Sequence, residues 1–356
     1  MKLFKCTHCG QLLYFENNRC ERCHYPLGFE TKQLALLPLV TAGEDVFQLY
    51  GSPPSSADTY RYCKNHDDAV CNWLVPADSP TPFCTACALN RIIPDLSRPE
   101  YALRWRHLED AKHRLVYTLL RMGLPIVSKA VDPEHGLAFD FKADSSPDEG
   151  GEKVLTGHDN GLITINIAEA DDIEREMARK AMAETYRTLL GHFRHEVGHY
   201  YWDRLIANTP NLDEYRQLFG DERQDYAEAL QTHYAHGPRP DWLQHFISAY
   251  ASSHPWEDWA ETWAHYLHIL DTLQTAHTFG LNVNPIDAEE TQHLQAAITE
   301  DPYEVADFDR IMAQWLPLTF AMNSLNRSMG QPDSYPFIIS PEVAQKMAFI
   351  HRVCRA

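Results

Sequence analysis

Apolar positions recur at helical spacing along most of the chain beyond residue 100 and thin out before it. The pattern WRHLEDAKHRLVYTLLRMGLP predicts a helix from Leu103 through Met122, stopped at Gly123-Leu124-Pro125. LAFDF (137–141) and LITINI (162–167) alternate or run apolar, as short strands do, and flank an acidic, glycine-rich stretch, SSPDEGGE, that reads as an exposed loop. From Asp171 onward helices dominate: DIEREMARKAMAETYRTLLGHFRHEVGHYYWDRLI, DERQDYAEALQTHYAHG, a tryptophan-rich segment at 254–268, VADFDRIMAQWLPLTFAMNSLNRSM and PEVAQKMAFIHRVCR. In the first of these, Tyr186, Leu189, Leu190, Phe193, Val197, Tyr200, Tyr201 and Ile206 form the amphipathic stripe. Residues 1 to about 95 lack such stripes and carry turn clusters, GSPPSSAD and PADSPTP, so another device must replace a missing core there. The pattern reads as α+β, with a small region over 1–95 and a larger domain over 96–356.

Inside the longest helical pattern stands His195-Glu196-Val197-Gly198-His199. At 3.6 residues per turn both imidazoles lie on one helix face and can reach a single tetrahedral Zn²⁺. Glu196 flanks that position without having to bind it, where a water attacking a peptide bond needs a general base. Gly198 costs on the order of 1 kcal/mol relative to Ala in a helix interior, and close approach of another backbone or of substrate is a reason to accept it.

A catalytic zinc needs a third protein ligand. The metzincin continuation fails, because Trp202 and Leu205 stand where it needs Gly and His. Downstream, HPWEDWAETWAHYLH predicts a helix entered at Pro255, with Trp256, Trp259, Trp263 and Leu267 on a buried face. It carries Glu257 and Glu261 one turn apart, so that one carboxylate can bind zinc while the other fixes the tautomer of a ligand histidine. Glu257 is assigned as the ligand and Glu261 as the histidine's partner, although helix spacing alone allows the reverse.

The cysteines make a second pattern. Cys6-x-x-Cys9 and Cys20-x-x-Cys23 are the two knuckles of a zinc ribbon, able to give four thiolates to one structural Zn²⁺. Cys63, Cys71, Cys84 and Cys87 supply four more, with His66 an alternative to Cys63. Eight of the nine cysteines are thereby used and Cys354 is left over, which points to zinc thiolates in a reducing compartment rather than to disulfides. The expected complement is one catalytic and two structural zinc ions. The opening MKLFKCTHCG has no apolar signal core, and no run approaches 18 apolar residues, so a cytoplasmic location is expected.

The runs HFRHEVGHYYWDRL, GDERQDYAEALQTHYAHG and FISAYASSHPWEDWAETWAHYLHILDTLQTA resemble the bacterial zinc-binding metallopeptidases that carry an N-terminal zinc-ribbon region, over nearly the whole chain. The EDWAE element is similar to the third-ligand helix of gluzincins of the anthrax lethal-factor type. That resemblance implies a gluzincin-like fold with Glu257 as ligand and Glu261 behind it. It also implies that Tyr250, seven residues before Glu257, stabilises the tetrahedral intermediate. It favours the four-cysteine version of the second cluster, through CNW and CTAC. LITINI would correspondingly be the sheet edge on which an extended peptide adds. His233, Tyr234, His254 and His265 read as structural residues.

The formal charge of −19, from 50 acidic against 31 basic residues, opposes nucleic acid as a partner. Lys5, Arg19, Arg22 and Lys32 are too few for a basic stripe on the ribbon. The expected activity is zinc-dependent hydrolysis of a peptide or protein substrate, with the ribbon region available to a protein partner and no membrane partner. Two other classes remain: a catalytically silent zinc-binding adaptor, and a zinc-ribbon nucleic-acid binder.

Overall fold

Both N-terminal cysteine pairs sit on tight turns that need a left-handed residue just after the second cysteine. Gly10 supplies it after Cys9 with φ 76°, and His24 supplies it after Cys23 with φ 63°. The computed structural model describes residues 2–53, 57–145, 151, 153–181, 188–286 and 294–356, with only the backbone of 178–181. Tyr186 and all of the acidic loop except Ser145 and Gly151 lie outside the described residues.

Packing divides the chain into two compact units, residues 1–177 and 178–356. In the first, β1 (Phe4–Lys5) and β2 (Leu12–Leu13) pair across the first knuckle, and β3 (Leu27–Glu30), β4 (Ala35–Gly43), β5 (Val46–Leu49), β6 (Tyr60–Tyr62) and β7 (Leu74–Pro76) form an antiparallel meander. The turn clusters and missing amphipathic stripes of residues 1–95 give no sign of this five-stranded sheet, which supplies the region with a core of its own. Leu39, Leu49 and Leu74 form a buried cluster on it, and a second, aromatic cluster lies alongside, with Phe29 4.6 Å from Trp73 and Phe15 5.5 Å from Tyr117, ring centre to ring centre.

After β8 (Asn90–Ile92) the chain runs through α1 (Pro99–Arg121), opened by Pro99 in its first turn and followed by Gly123 at φ 70°. It returns to β9 (Ala138–Lys142), parallel to β8, with α1 as the crossover such a pair requires. Then β10 (Gly157–Asp159) turns at Asn160-Gly161, both left-handed, into β11 (Leu162–Asn166). An Asn-Gly pair with two positive φ angles is the tight hairpin turn matched to strand twist. The sheet order is β10-β11-β9-β8. LITINI is therefore an interior strand, paired on one side with β9 and on the other with β10, and the expectation that it forms a peptide-binding edge is wrong.

The packing division at 177/178 falls later than the boundary expected near 95, because α1 and its sheet close on the cysteine-bearing part. Tyr117 packs edge-on against Phe15 and Phe29, and Cys87 faces Glu109 and His113.

α2 (Asp172–Ala181) spans the division between the units, and α3 (Leu189–Leu205) is the first helix wholly within the second, mostly helical one. There follow α4 (Leu212–Phe219), α5 (Tyr226–His236), α6 (Trp242–His245), α7 (Pro255–Phe279), β12 (Asn282–Val283), β13 (Ala296–Ala297), α8 (Phe308–Ser328) and α9 (Pro341–Val353). Trp259, Trp263, Leu267 and Leu270 of α7 are buried, with Val343, Met347 and Ile350 of α9 also in the core. α9 is tied to α7 by an ion pair: Lys346 Nζ lies 2.7 Å from Asp258 Oδ2, with side chains 1% and 0% exposed. Lys346→Ala would leave that carboxylate buried alone and should cost about 3–5 kcal/mol, read as a lower midpoint in urea unfolding. Among the described residues no helix is long and apolar enough to cross a membrane.

Candidate metal centres

Thr188 starts α3, its hydroxyl accepting the Gly191 amide at 3.0 Å, and places His195 and His199 one turn apart. α7 starts at His254, whose Nδ1 accepts the Trp256 amide at 3.1 Å, followed by Pro255 in the first turn. The two helices approach closely where Gly198 stands. A Cβ there would lie 3.1 Å from Ala260 Cα and from the Trp263 ring, and Trp259 Nε1 donates to the Gly198 carbonyl at 2.8 Å. Helix-to-helix approach is thus the use of the glycine, and it carries Glu257 onto the histidines.

His195 Nε2 lies 3.2 Å from His199 Nε2 and 3.1 Å from Glu257 Oε2. His195 Nδ1 donates to Glu261 Oε1 at 2.7 Å, and the Ser248 hydroxyl donates to Glu261 Oε2 at 2.6 Å. With its proton on Nδ1, His195 turns the Nε2 lone pair toward His199 and Glu257. Glu257 is 1% exposed, yet its Oε2 accepts no hydrogen bond among the described residues. Lone pairs and a carboxylate oxygen this close repel unless a cation lies among them. Ligands bound to tetrahedral zinc at about 2.0–2.1 Å stand roughly 3.3 Å apart, so the three donors fit that ion. Burial works to raise the Glu257 carboxyl, and the hydrogen bond from Tyr226 to its Oε1 works the other way, favouring the carboxylate. Glu196, also buried, follows His195 on the same helix.

Two tyrosines border the centre. Tyr250, on the short turn Tyr250–Ser252, has its ring 6.1 Å from that of His195. Tyr226, first residue of α5, donates its hydroxyl to Glu257 Oε1 at 2.7 Å. Burial, and after it the Glu257 charge, raise both phenols above their ordinary value, so both are hydrogen-bond donors at neutral pH. Tyr226 and Ser248 are absent from the sequence reading: nothing marks them among 17 tyrosines and many serines until the fold brings them to the carboxylates. Tyr226→Phe should weaken metal binding at this centre by about 10- to 100-fold, measured by zinc competition with a chelator. His265 bonds the Tyr335 hydroxyl at 2.9 Å, His233 lies 6.1 Å from Tyr250 ring to ring, and Tyr234 is exposed.

The cysteines form two further groups. Cys6 and Cys23 sulfurs lie 3.7 Å apart, those of Cys9 and Cys20 3.6 Å, and those of Cys71 and Cys84 3.8 Å, with all nine cysteines free. A disulfide needs about 2.05 Å. Four sulfurs around tetrahedral zinc at about 2.3 Å stand about 3.8 Å apart, so both groups suit that ion. Cys63, Cys71, Cys84 and Cys87 are brought together and all are buried. His66, weighed as an alternative to Cys63, instead stacks on Tyr62 at 3.9 Å and bonds the Cys71 carbonyl.

Residues 101–353 match the family described as "Putative zinc-binding metallo-peptidase", and residues 3–98 match a zinc-ribbon domain. The chain belongs to that metallopeptidase family. Similar relatives include the uncharacterized proteins Rv2568c of Mycobacterium tuberculosis and Mb2598c of Mycobacterium bovis. Each is 43% identical over 354 residues, 99% of this chain and 95% of the relative. No solved structure matches the chain. For this metallopeptidase-family chain, zinc is the cation that the family, the paired cysteine groups and the His-Glu donor set have in common.

Proposed function

We propose that this chain is a zinc-dependent peptidase of the gluzincin type, acting on a peptide or protein substrate in the cytoplasm. His195, His199 and Glu257 hold the catalytic zinc, Glu261 orients His195, and Glu196 and Tyr250 are the catalytic side chains. Residues 1–95 are the zinc-ribbon region with two structural sites, Cys6-Cys9-Cys20-Cys23 and Cys63-Cys71-Cys84-Cys87, open to a protein partner. Residues 96–356 are the peptidase domain.

The observation that carries this reading is the convergence of His195 Nε2, His199 Nε2 and the orphaned Glu257 Oε2 beside the glutamate of an HExxH helix. Zinc held there supplies Lewis acidity toward a carbonyl and lowers the pKa of water toward neutrality. Glu196 takes the proton that the attacking water loses and passes it to the leaving amine. Tyr250 donates its hydroxyl to the oxygen on which negative charge develops. Half-buried Glu261 and Ser248 keep the His195 ring from turning, and Tyr226 does the same for Glu257.

The test is digestion of a broad peptide library read by mass spectrometry, before and after chelation. Cleavage that disappears with chelator and returns with zinc is expected, and no cleavage by the zinc-loaded chain overturns the reading. Elemental analysis of protein purified without chelator should give three zinc ions per chain, the three-ligand one leaving first under chelation. One zinc or none removes either the two-site ribbon or the catalytic assignment.

A further inference from the structure

The second cysteine group differs from the first in its surroundings. Cys9 and Cys23 of the first are partly exposed, so water can balance its charge. Cys63, Cys71, Cys84 and Cys87 are 1%, 7%, 3% and 2% exposed. Four thiolates around a divalent ion leave two negative charges, and burying them without a counter-charge or hydrogen bonds is costly. Three of the sulfurs accept backbone amides: Cys63 from Cys84 at 3.3 Å, Cys71 from Trp73 at 3.4 Å and Cys84 from Cys87 at 3.4 Å. The neighbours of the Cys87 sulfur come instead from α1: Glu109 Oε2 and His113 Nε2, each at 3.6 Å.

Helix α1 presents three buried polar side chains on this side. Lys112 Nζ donates to Glu109 Oε1 at 2.7 Å and also to Asn90 Oδ1, so its charge is matched by that carboxylate. His113 Nδ1 donates to the Glu109 carbonyl at 2.7 Å, which fixes the ring and turns Nε2 to 3.3 Å from the Cys71 sulfur and 3.6 Å from that of Cys87.

We propose that His113 is the positioning residue of the second cysteine site, donating an Nε2–H hydrogen bond to the Cys71 and Cys87 thiolates and so tying α1 to the bound metal. This rests on the two-site reading of the ribbon region. The four cysteines already close a tetrahedral ligand set, so a nitrogen lone pair pointed at two thiolates would be repelled, whereas an N–H is attracted. The site is then not contained within residues 3–98 of the ribbon match; it is completed from the helix on which the peptidase match begins, at residue 101.

The full-length chain loaded with cobalt(II) tests this, using thiolate-to-cobalt absorption and its loss to excess EDTA. The difference between wild type and Cys84→Ser isolates the second site. That difference should have four-thiolate character. In His113→Leu it should keep that character but decay about 10- to 100-fold faster, the usual cost of losing a ligand's hydrogen-bond partner, while the first site's decay is unchanged. His113→Gln, which keeps an N–H on a side chain of similar reach, should decay close to the wild-type rate. An unchanged rate in His113→Leu overturns the proposal. So does a three-thiolate, one-nitrogen spectrum in wild type, which would make His113 a ligand. If the leucine chain does not fold, the glutamine chain decides: slow decay supports the hydrogen bond, and decay accelerated by that factor overturns it. Equal cobalt in wild type and Cys84→Ser would show instead that the second site itself is absent, a failure of the two-site reading.

Discussion

Glu196→Gln should leave zinc content near wild type while peptide cleavage falls by at least about 100-fold, the low end of the loss expected when a general acid–base is removed. The substitution is nearly isosteric and keeps a polar head group at a buried position, so α3 and its histidines need not move. An amide cannot accept the proton that the attacking water must lose, and chemistry should therefore separate from folding and metal binding. Tyr250→Phe should lower turnover on the order of 100-fold with metal content unchanged, because the lost hydroxyl acts on charge that develops only in the transition state. The comparison with Tyr226→Phe is informative, since that hydroxyl bonds Glu257 and its loss should appear in metal affinity first. Peptide assays and elemental analysis on the same preparations check all three. Undiminished cleavage by Glu196→Gln would sink the mechanism.

What the sequence made legible was whatever a single helix determines. The i, i+4 histidines share a face because the helical repeat dictates it, and Gly198 was explicable before its neighbour was known: it stands where α7 approaches. The order of Glu257 and Glu261 needed a family resemblance, since both are equally placed along one helix. Tyr226, Ser248 and His113 were illegible because their roles exist only across elements, 31, 13 and 26 to 42 residues away in sequence. The meander of β3 to β7 was missed for a different reason. β3 is buried at all four positions and β4 contains Pro38, so the alternation that betrays a half-buried strand is lost. The hairpin that covers LITINI, by contrast, is written in the sequence as Asn160-Gly161, the pair that a tight two-residue turn favours.

Glu257→Ala should abolish zinc at the histidine centre, whereas Glu261→Ala should leave it bound about 10- to 100-fold more weakly. The two carboxylates hold different bonds. Glu257 directs Oε2 at His195 Nε2 and Oε1 at Tyr226, so its removal deletes a donor atom and leaves two imidazoles facing each other at 3.2 Å. Glu261 stands on the other side of His195, taking the Nδ1 proton and the Ser248 hydroxyl, so its removal frees the ring to turn but takes away no donor. Glu261→Gln keeps a carbonyl oxygen for the Nδ1 proton and should fall between wild type and alanine. Zinc titration against a chelator of known affinity, with the ribbon sites counted separately, resolves the three. The opposite ranking, with Glu261→Ala empty and Glu257→Ala merely weakened, would exchange the two roles and place the metal on the other face of His195.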